Sequence, residues 1–179
     1  MVGTGGFLDP KEIIKQFDVR EGMQVADFGC GAGYFTIPLA KAVGSEGRVY
    51  ALDALESALN SVQSQARIEG LLNIAIKRCN LEVLNSSGLE DDSMDVVVLA
   101  NILFQSDNKL GIIKEAGRTL KKKGKMAIID WQSDQPMGPP KDLIVSIEEI
   151  KKIAEKSGLK FKKDIKVDKY HWGILFEKI

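Results

Sequence analysis

The chain contains few of the residues from which metal centres and disulfide frameworks are built. Its 179 residues include two cysteines and a single histidine. Two cysteines, Cys30 and Cys79, do not make the framework that stabilises small secreted domains. Because zinc sites draw mainly on cysteine and histidine, we expect no metal centre.

The sequence also lacks long apolar runs and an excess of charge of either sign. No stretch reaches the roughly 18 apolar residues of a membrane-spanning helix, and no apolar signal region is present at the start. The 25 basic and 25 acidic side chains cancel, which gives no support to nucleic acid or an anionic surface as partner. We therefore expect a cytoplasmic protein without a membrane or nucleic-acid partner.

Length and hydrophobic content predict one domain spanning residues 1–179. A hydrophobic content of 44% is enough for one core, and the chain is too short for two ordinary domains. Residues 1–6 are rich in glycine and form either a frayed terminus or a flap over the site. Asp9 and Pro10 then start a helix, which completes an N-terminal segment of flap and helix over residues 1–23.

A glycine-rich loop follows the first predicted strand, residues 24–28. Residues 27–33 are Asp-Phe-Gly-Cys-Gly-Ala-Gly, and a helix is predicted from there to Val43. Strand, glycine turn and helix form an arrangement that binds nucleotides, because glycine lets the backbone turn sharply and approach a ligand. The dinucleotide pattern G-x-G-x-x-G would place its last glycine at Tyr34, so the spacing differs. Asp27 favours a ligand that carries an ammonium or sulfonium group over one that carries a pyrophosphate.

This acid followed by G-x-G-x-G resembles the first motif of the class I S-adenosylmethionine-dependent methyltransferases, and later landmarks of that family follow in order. The resemblance implies an α/β, Rossmann-like, doubly wound sheet of seven mostly parallel strands with a C-terminal antiparallel hairpin. It implies S-adenosyl-L-methionine as cofactor and, because the chain is similar to the small single-domain members, a small-molecule methyl acceptor. The loop residues then expected to bind the cofactor are Asp27, Gly29, Cys30, Gly31 and Gly33.

Further positions match the adenosine site of that family. Asp53 ends the second predicted strand about 20 residues beyond the loop, where a carboxylate accepts from the ribose hydroxyls. Capping the next helix is the alternative role for Asp53. After the third strand, Asn80 takes the place of the family's acid, and its carbonyl oxygen can still accept from the adenine amino group. Leu81 and Ala54 are then expected to enclose the base.

The fourth predicted strand, residues 94–100, is an apolar run typical of a central parallel strand. Asn101 follows it, where the transferred methyl group lies in the family, and is expected to contact the methionine part of the cofactor or the acceptor. A bond from Asn101 to its own loop fits the position equally well. Because Pro-Pro-Tyr does not follow Asn101, the families that methylate adenine or glutamine amino groups are disfavoured.

The C-terminal third predicts the acceptor side. A helix over 107–120 ends in lysines 121–123, whose charges suit the helix dipole, and a fifth strand covers 125–131. The proline-containing loop 132–145 would wall the acceptor pocket. After a helix that starts at Ser146, residues 159–168 and 171–178 form the closing hairpin.

No catalytic base is assigned from the sequence. His171 is a lone histidine at a strand start, where a structural role is the more common one, and Asp130 and Asp134 flank the acceptor edge. Methyl transfer from a sulfonium mainly requires alignment, and it requires a base only where the acceptor must lose a proton before attack.

Two other functions fit parts of the pattern. An NAD-dependent oxidoreductase would share the strand, loop and helix and Asp53, but Tyr34 stands at its third glycine and the hairpin is unexplained. A non-catalytic nucleotide-binding or interaction protein would share the fold, with its acceptor pocket filled by side chains.

Overall fold

The computed structural model describes residues 8–133 and 136–179, which form one mixed sheet with helices on both faces. The helices are α1 (Pro10–Ile14), α2 (Thr36–Val43), α3 (Glu56–Ile68), α4 (Lys109–Thr119) and α5 (Ile147–Lys156). The strands are β1 (Gln24–Phe28), β2 (Arg48–Asp53), β3 (Ile74–Arg78), β4 (Met94–Ala100), β5 (Leu120–Trp131), β6 (Leu159–Asp164) and β7 (His171–Lys178). Short 3-10 helices cover Lys15–Phe17, Leu103–Gln105 and Lys141–Leu143.

The strand order β3-β2-β1-β4-β5-β7-β6 confirms the expected seven-stranded sheet. Strands β1 to β5 pair in parallel, while β7 runs antiparallel to both β5 and β6. The chain reverses its winding direction between β1 and β4, and ligands bind at such a switch point, beyond the carboxyl ends of the strands. Because β7 is antiparallel, its first residue, His171, lies at this same edge, paired with Trp131 at the end of β5.

Alternate residues of the central strands face two separate cores. On β1, Ala26 and Phe28 belong to the cluster that includes α4 and α5, whereas Val25 belongs to the cluster that includes α1 and α2. Helix α3 packs on this second face, through Leu59 and Val62. Both faces of the parallel strands are thus covered, as the apolar run of β4 predicts.

The loop between β3 and β4 is attached to α4 by one buried carboxylate. Glu115 accepts hydrogen bonds from the backbone N–H groups of Asn85 and Ser87, at 2.7 and 3.2 Å, and from the Ser87 hydroxyl. Arg118 donates two more, at 2.9 and 2.7 Å. Burial raises the pKa of Glu115, but the bonds from Arg118, Ser87 and Asn85 outweigh it and lower that pKa to about 2.

The lysine run after α4 is where the sequence-based prediction is wrong. Helix α4 ends at Thr119, and Lys121 to Lys123 lie in β5, which starts at Leu120 and not at residue 125. Lys123 has φ +64°, and the pairing of β4 with β5 shifts register at this point. Lys121 donates to Asp95 on β4 at 2.7 Å, so the lysine is used between strands and not at the helix end.

The closing hairpin is also shorter than expected. Strand β6 ends at Asp164, although the N–H of Ile165 still donates to Gly173 on β7 at 2.8 Å. Asp168 lies in the connection, where its carboxylate accepts from the backbone N–H groups of Tyr170 and His171. The bend made by these bonds replaces the last predicted residues of the strand.

Helices α1 and α5 start with the capping residues that the sequence predicts. The Asp9 side chain accepts from the Lys11 N–H at 3.0 Å, and the Ser146 hydroxyl accepts from the Glu149 N–H at 3.4 Å. The possible flap at residues 1–6 lies outside the described residues. Within residues 8–133 and 136–179, no helix has the length and apolar character required to cross a membrane.

Candidate functional site

The carboxyl ends of the parallel strands and the start of β7 surround a cavity of about 820 Å³. Sites for small molecules measure roughly 300–1,000 Å³, and this cavity lies within that range. Most of the residues expected to bind the cofactor line it, namely Asp27, Gly29, Cys30, Gly31, Asp53, Ala54, Asn80, Leu81 and Asn101. Gly33 does not line it.

The three glycines of the loop meet different neighbours. A Cβ on Gly29 would overlap Ile102 in the loop after β4, and a Cβ on Gly33 would lie 3.2 Å from Val62 Cγ2 on α3. A Cβ on Gly31, which has φ +49°, would meet no described atom within 4 Å. Gly31 is therefore the glycine that leaves open space in the cavity, while the other two allow packing of the protein.

The loop is fixed by the end of β2. The N–H groups of Gly29 and Cys30 both donate to the carbonyl oxygen of Leu52, at 2.8 and 3.0 Å. Asp53 Oδ2 accepts from the Gly31 N–H at 3.0 Å, and Asp53 Oδ1 accepts from the Leu55 N–H at 2.9 Å. Asp53 therefore holds both the loop and the approach to α3. Each carboxylate oxygen keeps a second lone pair, which is available to a hydroxyl group in the cavity.

Asp27 brings a buried acid to the floor of the cavity. The residue is only 2% exposed, and its Oδ2 accepts from the hydroxyl of Thr36, the first residue of α2, at 2.6 Å. Burial raises the pKa of Asp27 to about 6, helped by the charge of Asp53 and opposed by the Thr36 hydroxyl. A cation bound nearby would favour the ionised form of this group.

Apolar side chains dominate one end of the cavity. Ala54 and Leu55 precede α3, and Leu81 follows β3, so they approach the cavity from two different loops. Asn80 lies beside Leu81, and its Oδ1 accepts from the Glu82 N–H at 3.1 Å. That oxygen retains one lone pair, and this end could enclose a flat ring with one polar contact at its edge.

Asn101 joins the cavity to β7. It has φ +54°, and its carbonyl oxygen accepts from Gln105 Nε2 at 2.9 Å, so the loop bond involves the backbone of Asn101. Its side chain points across the sheet edge, where Nδ2 lies 3.3 Å from Nε2 of His171. Among the described residues, its buried Oδ1 has no hydrogen-bond partner.

His171 is a cavity residue that the sequence analysis treated as structural. Its Nδ1 lies 2.8 Å from Oδ1 of Asp168, and its ring packs against Trp131 at a tilt of 35°, with 4.2 Å between centroids. Both His171 and Trp131 line the cavity. The Asp-x-x-His spacing just before β7 was the available signal, but the contact with Asn101 depends on pairing between distant strands.

Asp130 supports the cavity from beneath. It is fully buried, and its Oδ2 accepts from the N–H groups of Leu103 and Phe104 at 3.1 and 3.3 Å. Its Oδ1 accepts from the Trp131 N–H at 2.8 Å. Burial raises the pKa of Asp130 to about 6, and these backbone bonds oppose the rise. It does not line the cavity, and Asp134 lies outside the described residues.

Known proteins resemble this chain both in sequence and in fold. A family model described as a methyltransferase domain matches residues 19–174. A crystal structure of a SAM-dependent methyltransferase from Aquifex aeolicus has 29% sequence identity and a TM-score of 0.88, and the match covers 100% of this chain and 94% of that one.

Two curated relatives are demethylmenaquinone methyltransferases. The protein from Staphylococcus aureus (strain MRSA252) is 31% identical over 134 residues, which cover 72% of this chain and 51% of the relative. The protein from Geobacillus stearothermophilus is 32% identical over 114 residues, covering 64% of this chain and 47% of the relative. The chain thus spans about half the length of the curated relatives that it matches.

Proposed function

This chain belongs to the S-adenosylmethionine-dependent methyltransferases, and we propose that it transfers the methyl group of S-adenosylmethionine to a small organic acceptor. The observation that carries this proposal is the single cavity that joins the glycine loop and Asp53 to the ends of β4 and β5. Family membership supplies the reaction type. The named residues and their roles are our assignment.

The loop side of the cavity fits the sugar and the cationic part of the cofactor. The open face of Gly31 leaves room for the ligand backbone, and the spare lone pairs of Asp53 suit two ribose hydroxyls. Asp27, whose ionisation is opposed by burial, gains from a neighbouring ammonium or sulfonium. Cys30 contributes a small buried side chain between the glycines.

The far side of the cavity fits the adenine ring and the methionine part. Ala54 and Leu81 would enclose the ring, and Asn80 would accept from its amino group through the lone pair that Glu82 leaves free. Asn101 would contact the methionine part or the acceptor through its unpartnered Oδ1. Gly33 would act indirectly, because it packs against α3.

When bound, the cofactor would supply a methyl group activated by its sulfonium. The protein has to align the acceptor with that bond and exclude water. Ile102, Trp131 and His171 line the cavity where an acceptor would lie. We propose a small molecule because this part of the cavity is formed within the domain and because the curated relatives are named for demethylmenaquinone.

The rival functions have less support. A non-catalytic binding protein predicts a filled acceptor pocket, whereas the cavity extends past the loop to Trp131 and His171. An NAD-dependent oxidoreductase predicts a third glycine at Tyr34, and the family match is to methyltransferases. We also propose that residues 1–179 act as one domain and that the reaction is cytoplasmic.

The test is calorimetric titration of the purified protein with S-adenosylmethionine, S-adenosylhomocysteine and NADH. Micromolar affinity for the first two, without affinity for NADH, is the expected result. Transfer of a labelled methyl group to demethylmenaquinone, supplied oxidised and reduced, then tests the acceptor. Binding of NADH alone would overturn the proposal, and cofactor binding without transfer to any of a set of phenols, amines and thiols would favour the non-catalytic function.

A further inference from the structure

His171 and Asp168 form a buried pair at the acceptor end of the cavity. Their side chains are 3% and 7% exposed, and 2.8 Å separates His171 Nδ1 from Asp168 Oδ1. Because a carboxylate only accepts hydrogen bonds, Nδ1 carries the proton in this contact. In the neutral ring, Nε2 then has a free electron pair and lies beside Asn101, at the cavity wall.

The backbone around Asp168 holds its carboxylate beside that ring. Its Oδ1 accepts from three N–H groups, two of them from the backbone of Tyr170 and His171 at 2.8 and 3.0 Å. Its Oδ2 is buried and has no hydrogen-bond partner within the described part of the chain. The bonds to Oδ1 hold the carboxylate in place, and the carboxylate in turn fixes the orientation and the tautomer of the ring.

The Asn101 amide suits both protonation states of the ring. With neutral His171, its Nδ2–H donates to Nε2, which is the arrangement at 3.3 Å. With protonated His171, Nε2 becomes a donor, and a half-turn of the amide brings Oδ1 to it. In the observed arrangement, Oδ1 has no hydrogen-bond partner among the described residues.

We propose that His171, held by Asp168, is the general base of this methyltransferase and that the acceptor is a flat conjugated molecule bearing a hydroxyl group. This inference rests on the proposed function. The acceptor hydroxyl displaces the Asn101 amide at Nε2 and gives its proton to that nitrogen. Its oxygen forms the bond to the methyl carbon, and the carbon–sulfur bond breaks with its electron pair left on sulfur. The positive charge that the sulfonium loses appears on the imidazolium, which returns its proton to water.

The requirement for a base selects the acceptor class. An arylamine that is neutral at pH 7 attacks through its own lone pair and loses its proton afterwards, and a thiol, with a reference pKa of about 8.5, ionises more readily than a phenol. A phenolic hydroxyl has a reference pKa of about 10, so proton removal limits its reactivity at neutral pH. Trp131, packed against His171, and Ile102 supply apolar surface for a flat ring.

The ring of His171 can be observed directly, because it is the only histidine in the chain. Two-bond proton–nitrogen NMR spectra of untagged protein, saturated with S-adenosylhomocysteine, report which ring nitrogen carries the proton. We expect the Nδ1–H tautomer, a shift of the Nε2 resonance on adding 2-naphthol, and a smaller shift with 2-methoxynaphthalene, which has no hydroxyl proton. Asp168→Asn should give a tautomer mixture, whereas Asp164→Asn, an exposed acid on β6, should leave the spectrum unchanged.

Two results would overturn the assignment. One is an Nε2–H tautomer in the wild-type protein, and the other is an Nε2 resonance that responds equally, or not at all, to the two naphthalenes. In turnover of a hydroxyl acceptor, His171→Gln should lower kcat about 10²- to 10⁴-fold and leave the affinity for S-adenosylhomocysteine within twofold. If the wild-type protein bound neither S-adenosylmethionine nor S-adenosylhomocysteine, the proposed function itself would be wrong, whichever tautomer His171 adopts.

Discussion

Replacing Asp53 with alanine tests the assignment of the cofactor site most directly. The carboxylate accepts from the N–H groups of Gly31 and Leu55 at 3.0 and 2.9 Å, and it is proposed to accept from the ribose hydroxyls as well. Asp53→Ala removes all of these bonds. The variant should therefore show two effects, a loss of stability in the free protein and a loss of cofactor affinity.

The expected sizes follow from the number of bonds. A hydrogen bond to a charged group contributes about 1.5–3 kcal/mol, and about 1.4 kcal/mol corresponds to a tenfold change in affinity. Losing one ribose bond should raise Kd about 10- to 150-fold, and losing two should raise it at least about 10²-fold. The free protein should lose only about 1–2 kcal/mol, because both backbone N–H groups lie beside an open cavity and can bind water.

Calorimetry with S-adenosylmethionine and S-adenosylhomocysteine measures the affinities, and urea unfolding measures the stability. Both ligands carry the ribose, so their affinities should fall by the same factor, and Asp53→Asn should lose less because it keeps one acceptor oxygen. Glu56→Ala is the matched control, since its carboxylate is 70% exposed and forms an ion pair with the exposed Arg78 at 3.2 Å. A folded Asp53→Ala variant with unchanged Kd, or a loss confined to S-adenosylmethionine, would refute the ribose role.

Three further predictions follow from the geometry. Gly31→Val should abolish cofactor binding, whereas Gly22→Val, at a similarly open position with φ +83°, should bind normally in calorimetry. Burial raises the pKa of Asp27 to about 6, so between pH 4 and 6 the native protein binds a proton that the unfolded chain has lost. As the pH rises from 4 to 6, the free energy of unfolding measured in urea should therefore fall by at most about 3 kcal/mol. Asp27→Asn should make this free energy less dependent on pH. Glu115→Ala should cost about 3–5 kcal/mol in urea unfolding at pH 7, because it leaves Arg118 without its buried partner. Since the pKa of Glu115 is lowered to about 2, this difference should persist above about pH 4.5 and disappear as the pH falls through 2.

Local pattern was sufficient for the parts of the site that depend on one strand and its following turn. Asp53 and Gly31 could be placed because a strand end followed by a glycine turn fixes the backbone direction within a few residues. The packing of Gly33 against Val62 could not be predicted from the local pattern, because Val62 belongs to the next helix. The lysine run shows the same limit. Cations after a helical pattern predict a helix end, but Lys121 pairs with Asp95 on the distant strand β4, and the run belongs to β5.

The position of His171 in the cavity wall could not be predicted for a related reason. Its partner Asp168 is only three residues away, but Asn101 is 70 residues away and meets the ring only once β7 has inserted next to β5. A lone histidine has no periodic pattern, and nothing in the neighbouring residues indicates which ring nitrogen faces a cavity. The fold class could therefore be predicted from repeated local signals, whereas the acceptor end could not.

Because β7 runs in the reverse direction, residues from the end of the chain reach the cavity, and the residues proposed to face the acceptor come largely from a different part of the sequence than those assigned to the cofactor. The residues assigned to the cofactor all come from positions 27–101, while Trp131 and the pair Asp168 and His171 come from the last third of the chain. Under the proposed roles, changes in the last third of the chain would alter the choice of acceptor without replacing the residues assigned to the cofactor. A chimaera that exchanges residues 131–171 with those of a relative would inherit its cofactor affinity from one parent and its choice of acceptor from the other.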